Sequence, residues 1–215
     1  MESFEVLENP VREKIIKEFL KKQEILEYQY IKDYVKKDTT RPDYHLNLLV
    51  ESGLLERTKG RGNYRLNLQN LQLLRNLYKR MTPICLIGGL GEEVELYSEI
   101  LDELKNISII PRKYVILTSP EVNKKFEELS SKDDFKKIYD VDTKLHLFDF
   151  IKELKGDYDK IQEFSEKLIR EHIYNFEIIT ELTGGTKLIT IALVKLAEKY
   201  NLRKIYYSSE EIKWL

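Results

Sequence analysis

The stretch Phe176-Glu177-Ile178-Ile179-Thr180-Glu181-Leu182-Thr183-Gly184-Gly185-Thr186-Lys187 decides the fold. Phe176 to Ile179 is an apolar-rich run that predicts a buried strand. It ends in the small and hydroxyl residues Thr183–Lys187, and Leu188 to Tyr200 follows with helical apolar spacing. The same grammar recurs on the N-terminal side. Ile84-Cys85-Leu86-Ile87 ends in Gly88-Gly89-Leu90-Gly91, then Val94, Leu96, Tyr97, Ile100, Leu101 and Leu104 recur at helical spacing. Tyr114-Val115-Ile116-Leu117 ends in Thr118-Ser119-Pro120, with a helix after it. A third strand is predicted over Leu145–Phe148, a helix over Tyr158–His172 and a closing strand over Arg203–Tyr207. Apolar strands alternating with helices imply an α/β fold with a mainly parallel sheet covered on both faces.

Ligands of open α/β sheets sit outside the carboxyl ends of the strands. Here those ends carry glycines and hydroxyls, which let backbone N–H groups approach an anion, and the next helix presents its positive N-terminal end. Lys187 adds a full charge. The candidate ligand-binding residues are therefore Gly88, Gly89, Leu90, Gly91, Thr118, Ser119, Glu181, Thr183, Gly184, Gly185, Thr186 and Lys187. Two common phosphate sites do not fit. The spacing around Gly184 and Lys187 is not that of a P-loop, and Gly89-Leu90-Gly91 runs into Glu92-Glu93-Val94 instead of completing a dinucleotide fingerprint.

A strand, the turn Thr-Gly-Gly-Thr-Lys and an apolar helix together resemble the CRISPR-associated Rossmann fold (CARF) family, over about residues 82–210. Two departures are visible. Glu181 stands where the family usually has Asp or Asn, and the first loop, Gly88–Gly91, lacks a hydroxyl. The resemblance implies a Rossmann-like sensor that forms a homodimer. A cyclic oligoadenylate would lie across the two-fold axis, with cyclic tetra-adenylate favoured and cyclic hexa-adenylate the alternative. It implies no cofactor and no metal. Some members cleave the ring they bind by attack of its own 2′-hydroxyl; Lys187 and Ser119 are the candidate catalytic residues for that alternative, a ring nuclease.

The first part of the chain reads differently. Asn9 and Pro10 open a helix carrying Val11, Ile15, Ile16, Phe19 and Leu20. A second helix is predicted over Leu26–Lys36, with Tyr30, Ile31, Tyr34 and Val35 inward. Thr39 and Thr40 are N-cap candidates for a third, which Gly53 stops. Two short strands, Leu54–Thr58 and Asn63–Asn67, flank the tip Lys59-Gly60-Arg61-Gly62. Helical spacing returns from Leu68 to Arg80. Residues 8–68, above all Leu46 to Arg57, resemble the winged helix-turn-helix domains of prokaryotic transcription regulators. That resemblance implies that residues 40–52 enter the major groove of double-stranded DNA. The DNA-binding candidates are Thr40, Arg41, Tyr44, His45 and Asn47 on the helix, with Lys59, Arg61 and Arg65 on the wing. Asn47 is suited to adenine.

The domains expected are therefore a winged helix over 1–68, a linker helix over 69–80 and the sensor over 81–215. Charge agrees in sign: residues 1–80 hold 16 Lys and Arg against 12 Asp and Glu, and the rest holds 20 against 25. A single Cys, Cys85, in 215 residues excludes an intramolecular disulfide and multi-cysteine zinc sites. The N-terminus lacks an apolar signal region, so a soluble cytoplasmic protein is expected. The function expected is a CRISPR-associated transcription regulator in antiviral defence that senses cyclic oligoadenylate and binds DNA; protein interaction through the winged helix is the alternative.

Overall fold

A computed structural model describes residues 2–23, 25–60, 62–131, 141–147 and 158–215. Arg61 and Phe148, both named above, lie outside the described residues. The chain forms two compact units, Met1–Met81 and Thr82–Leu215.

In the first unit, α1 (Glu2–Glu5) and a 3-10 turn precede α2 (Pro10–Lys22); β1 (Leu26–Glu27) and α3 (Tyr28–Val35) follow. Then come α4 (Pro42–Glu51), β2 (Leu55–Arg57), β3 (Asn63–Leu66) and α5 (Leu68–Leu77). Asn9 caps α2 by accepting from the N–H groups of Val11 and Arg12, and Val11, Ile15, Ile16, Phe19 and Leu20 are buried on one face. β1, β3 and β2 form an antiparallel sheet in that spatial order. Gly53 ends α4 at φ +73°, the left-handed conformation that glycine adopts without steric cost.

Three expectations are corrected here. Leu26 and Glu27 are a strand, paired with Tyr64 and Asn63, because a distant partner strand outweighs local helical preference. Tyr30 is not inward: it is 39% exposed, stacks on Tyr34 and donates to the buried carboxylate of Glu18. Neither Thr39 nor Thr40 caps α4. Arg41 holds that position without a side-chain cap, and Thr39 Oγ1 instead accepts from the Arg41 N–H at 3.1 Å.

In the second unit, β4 (Ile84–Gly89), α6 (Leu96–Asn106), β5 (Pro111–Thr118), α7 (Pro120–Ser130) and β6 (Asp142–Leu147) come first. They are followed by α8 (Tyr158–His172), β7 (Glu177–Glu181), α9 (Lys187–Tyr200), β8 (Arg203–Ser208) and β9 (Glu211–Trp214). Six strands make one sheet in the order β6-β5-β4-β7-β8-β9. All neighbours are parallel except β8 and β9. This unit is α/β, as the alternating runs predict. One core joins Leu86, Ile116, Ile179 and Ile205 of the sheet to Tyr97, Ile100 and Leu104 of α6 and to Phe126 of α7. Within it Tyr97 stacks on Tyr114 with ring centres 5.4 Å apart and meets Phe126 edge-on at 5.0 Å. Cys85 is buried, and burial raises its thiol pKa to about 12; it is a packing residue with little thiolate character.

β9 has no counterpart in the sequence reading. Its hairpin turns through Ser209 and Glu210, both at positive φ. The usual Asn-Gly or Asp-Gly signal of such a turn is missing.

Candidate functional site

β4 lies between β5 and β7. The chain runs outward from β4 to β5 and β6 on one side, then crosses to β7 and β8 on the other. The gap between the carboxyl ends of β4 and β7 is therefore the topological switch point, where a ligand crevice opens in sheets of this kind. Gly88-Gly89-Leu90-Gly91 and the Thr183–Lys187 turn are the two loops that flank it.

The Thr183–Lys187 turn is tied down from below. The Leu182 N–H donates to the Ile205 carbonyl at 3.0 Å, and the Tyr207 N–H donates to Thr183 Oγ1 at 2.7 Å. The Thr183 N–H donates to Glu181 Oε1 at 2.5 Å. At the far end Thr186 caps α9, its hydroxyl accepting from the Ile189 N–H at 3.4 Å. Lys187 is the first residue of α9 and is exposed, as is Thr186.

The glycines interlock the two loops. A Cβ on Gly89 would stand 2.8 Å from the Gly184 carbonyl oxygen, and one on Gly185 would stand 2.9 Å from Gly89 Cα. A Cβ on Gly184 would collide with the Gly89 carbonyl oxygen. Gly185 also needs the freedom of glycine for its φ of +82°. Gly88 pairs with Glu181 across the strands, and its missing side chain makes room for that carboxyl: a Cβ would lie 2.8 Å from Glu181 Oε2. Gly91 is different, with nothing nearer than 3.6 Å.

Glu181 is fully buried. Besides the Thr183 N–H, it accepts a hydrogen bond from the Tyr114 hydroxyl at 3.3 Å. Burial is the largest influence and raises its pKa above the ordinary 4.5; the hydrogen bonds from Thr183, Gly184 and Tyr114 oppose it. Burial beside that carboxyl likewise raises the Tyr114 phenol. The folded protein thus holds the Glu181 proton more tightly than the unfolded chain does. The stability this gives is full below the ordinary carboxyl pKa and is lost as pH rises through the raised value. Glu181→Gln keeps an acceptor for Thr183 and removes the titration. Its unfolding midpoint is expected to fall less steeply than the native midpoint as pH rises above 4.5. Parallel pH profiles for the two proteins would contradict this.

The sequence candidates therefore divide. Gly88, Gly89, Leu90, Thr118, Glu181 and Gly184 are buried. Thr118 donates to the Leu90 carbonyl at 2.9 Å, and Leu90 in turn donates its N–H to Leu117. Gly91, Ser119, Thr183 and Gly185 are half-buried at the surface, next to the exposed Thr186 and Lys187. Ser119 caps α7, accepting from the Val122 N–H at 3.3 Å. Tyr114 and Tyr207 were missed. Tyr207 reaches Thr183 from β8, next to β7, and Tyr114 reaches Glu181 from β5, two strands away, so only the strand order brings them there.

On the first unit Thr40, Arg41, Tyr44, Asn47 and Lys59 are exposed. The Arg41 guanidinium lies over the Tyr44 ring at 5.4 Å. His45 is buried, not groove-facing: its Nε2 is 3.2 Å from Thr39 Oγ1, and burial, aided by the charge of Arg12, lowers its pKa. Arg65 is half-buried and paired with Glu56, directly opposite it in the sheet, so its charge is already matched. Asn47 Oδ1 accepts from the guanidinium of Arg57 at 2.7 Å, a residue the sequence reading did not select. Among the described residues no group of three or more His, Cys, Asp or Glu could hold a metal ion, and no helix is long and apolar enough to cross a membrane.

No protein-family model and no curated protein matches the chain. Solved structures do. Can2 from Sulfobacillus thermosulfidooxidans, in complex with cyclic tetra-adenylate, is 14% identical over 61% of this chain and 34% of its own, with a TM-score of 0.47. Csm6 from Enterococcus italicus, bound to cyclic hexa-2'-fluoro-hexa-dAMP, is 16% identical over 60% of this chain and 34% of its own, with a TM-score of 0.47. A type III CRISPR defence DNA nuclease activated by cyclic oligoadenylate is 15% identical over 86% of this chain and 29% of its own, with a TM-score of 0.45. The chain thus spans about a third of the length of the solved chains it matches.

Proposed function

We propose that the second unit binds a cyclic oligoadenylate at its switch point, and that the first unit is a winged helix that binds double-stranded DNA, making the chain a ligand-controlled transcription regulator. The observation that carries the ligand reading is the Thr183–Lys187 turn. It is a Thr-Gly-Gly-Thr-Lys sequence like that of the CARF family, fixed at the switch point by Glu181 and Tyr207 and ending in an exposed Lys187. Gly185, Thr186 and Lys187 hold ribose-phosphate, with the N-terminal end of α9 adding its positive potential. Gly91 and Ser119 complete the rim. The buried glycines, Thr118 and Glu181 support these groups and do not touch the ligand. A second copy of the chain supplies the same loops across a two-fold axis, so one symmetric ring is held by two equal half-sites.

The DNA reading is supported by the order α2, α3, α4 and hairpin and by the exposed Arg41, Tyr44, Asn47, Arg57 and Lys59. Ligand control requires that the ring bind one arrangement of the dimer better than another. The test is mobility of duplex DNA from the chain's own promoter, with native protein at low salt, with and without cyclic tetra- and hexa-adenylate. A ring-dependent change in DNA affinity of about fivefold or more is expected, the lower end of typical allosteric coupling. Equal affinity with and without either ring contradicts the regulator reading.

A further inference from the structure

The outer side of α2 carries lysines interleaved with tyrosines from two other helical segments. Lys14 Nζ stands 5.0 Å from the centre of the Tyr34 ring, Lys22 Nζ 5.6 Å from that of Tyr30, and Lys17 Nζ 5.1 Å from that of Tyr78. Tyr30 and Tyr34, one helical turn apart on α3, stack with their planes 7° apart. Their hydroxyls meet the same carboxylate, Glu18 of α2, which is buried beneath them. A buried carboxylate is costly unless hydrogen bonds satisfy it, so the two phenols are held where they are. The result is a pair of rings fixed at the surface, with Tyr30 39% exposed.

Cations gather at one end of this face. Lys21 and Lys22 close α2, and Lys79 and Arg80 follow α5. Arg80 Nη2 donates to the Lys21 carbonyl at 3.4 Å, which joins the two pairs. All four are exposed. Among the described residues none of them forms an ion pair, whereas Lys14 and Lys17 are matched by Asp38 and Glu13. The cluster is distinct from the Arg41–Tyr44 surface of α4. Arg12, near the start of α2, lies close enough to His45 of α4 to lower its pKa. Lys21 is about 14 Å further along the same helix at 1.5 Å per residue.

The combination selects its partner. Unmatched cations suit phosphates of any kind, but a duplex has its bases stacked inside and offers nothing to a tyrosine ring. An acidic peptide would likewise use only the cations. An unstacked base next to a phosphate uses both, and rings fixed in advance lose little freedom on binding it. Lys22 is exposed and its contact with Tyr30 is of the weak, solvated kind. It can leave the ring for a phosphate as a base takes its place.

We infer that the α2–α3 face of the first unit binds single-stranded nucleic acid, with Tyr30 as the stacking residue and Lys21, Lys22, Lys79 and Arg80 along the phosphates. The inference does not depend on duplex binding by α4.

The test is fluorescence anisotropy of a labelled oligothymidylate of about 15 nucleotides at low salt, with the full-length native chain, Tyr30→Ala, Tyr30→Phe and the double variant Lys21→Ala, Arg80→Ala. Both Tyr30 variants take the same hydroxyl from Glu18, and only Ala removes the ring. Saturable binding is expected of the native chain. Tyr30→Ala is expected to weaken it at least about fivefold, the low end for one stacked base, and Tyr30→Phe by less than about twofold, since the stacking ring remains. The double variant is expected to make the slope of log affinity against log salt shallower by about 1 or more. No binding by the native chain overturns the inference. So does equal affinity of Tyr30→Ala and the native chain, equal loss in Tyr30→Phe and Tyr30→Ala, or an unchanged salt slope in the double variant.

Discussion

Gly184→Ala is expected to destabilise the second unit by about 3 kcal/mol, the upper part of the range for overpacked sites. The new methyl group meets the Gly89 carbonyl oxygen. That neighbour is backbone of a central strand, so no rotamer change can relieve the contact. The two loops must move apart, and the donors of the Thr183–Lys187 turn move with them. Binding of the ring is therefore expected to weaken by about tenfold or more, equivalent to the loss of one net hydrogen bond in each half-site. Gly91→Ala is the matched control. Its Cβ finds ordinary contact at 3.6 Å, its φ is not positive, and its effect on stability is expected within about 0.5 kcal/mol. Thermal unfolding of the two variants beside the native chain reads the difference. Equal midpoints for both variants would mean that the loops do not meet as described.

Lys187→Ala is expected to separate binding from stability. A cation in the first turn of a helix opposes the helix dipole, at a cost of about 0.3–1 kcal/mol. Lys187 is exposed at that position, so local folding gains nothing from its charge. The Ala variant is expected to be as stable as the native chain or slightly more so. If the lysine instead pairs with phosphate, its loss removes a charge-assisted hydrogen bond worth about 1.5–3 kcal/mol, or roughly tenfold to hundredfold in affinity. A fall in unfolding midpoint with unchanged ring affinity contradicts this assignment.

How much of this was legible in the sequence depends on the range of the interaction. The strands around Leu86, Ile116 and Ile179 announce themselves as apolar runs, since a parallel strand is buried on both faces. The Thr183–Lys187 turn and the Gly53 stop are local chemistry and are equally plain. The role of the glycines was not legible. Gly89 and Gly184 lie 95 positions apart in the chain, and what makes both glycine is their mutual backbone approach. Read alone, each glycine looks like an open loop for phosphate. Much of the pair's work is to let two strand ends meet, with Glu181 and Tyr114 beneath them. The burial of His45 and the pairing of Arg65 with Glu56 were not legible for related reasons. Helical spacing does not say which face His45 takes, and the Glu56–Arg65 pair becomes visible only once hairpin register is known. The pairing of Leu26 with Tyr64 is likewise decided by tertiary structure.

On the proposed reading the switch point of the second unit holds a cyclic oligoadenylate shared by two chains. Isothermal titration of the native full-length chain and of Lys187→Ala with cyclic tetra-adenylate and cyclic hexa-adenylate tests it most directly. The expected result is saturable binding of at least one ring by the native chain, at one ring per two chains, with affinity lower by tenfold or more in Lys187→Ala. No binding of either ring, or the same affinity in both proteins, would contradict it.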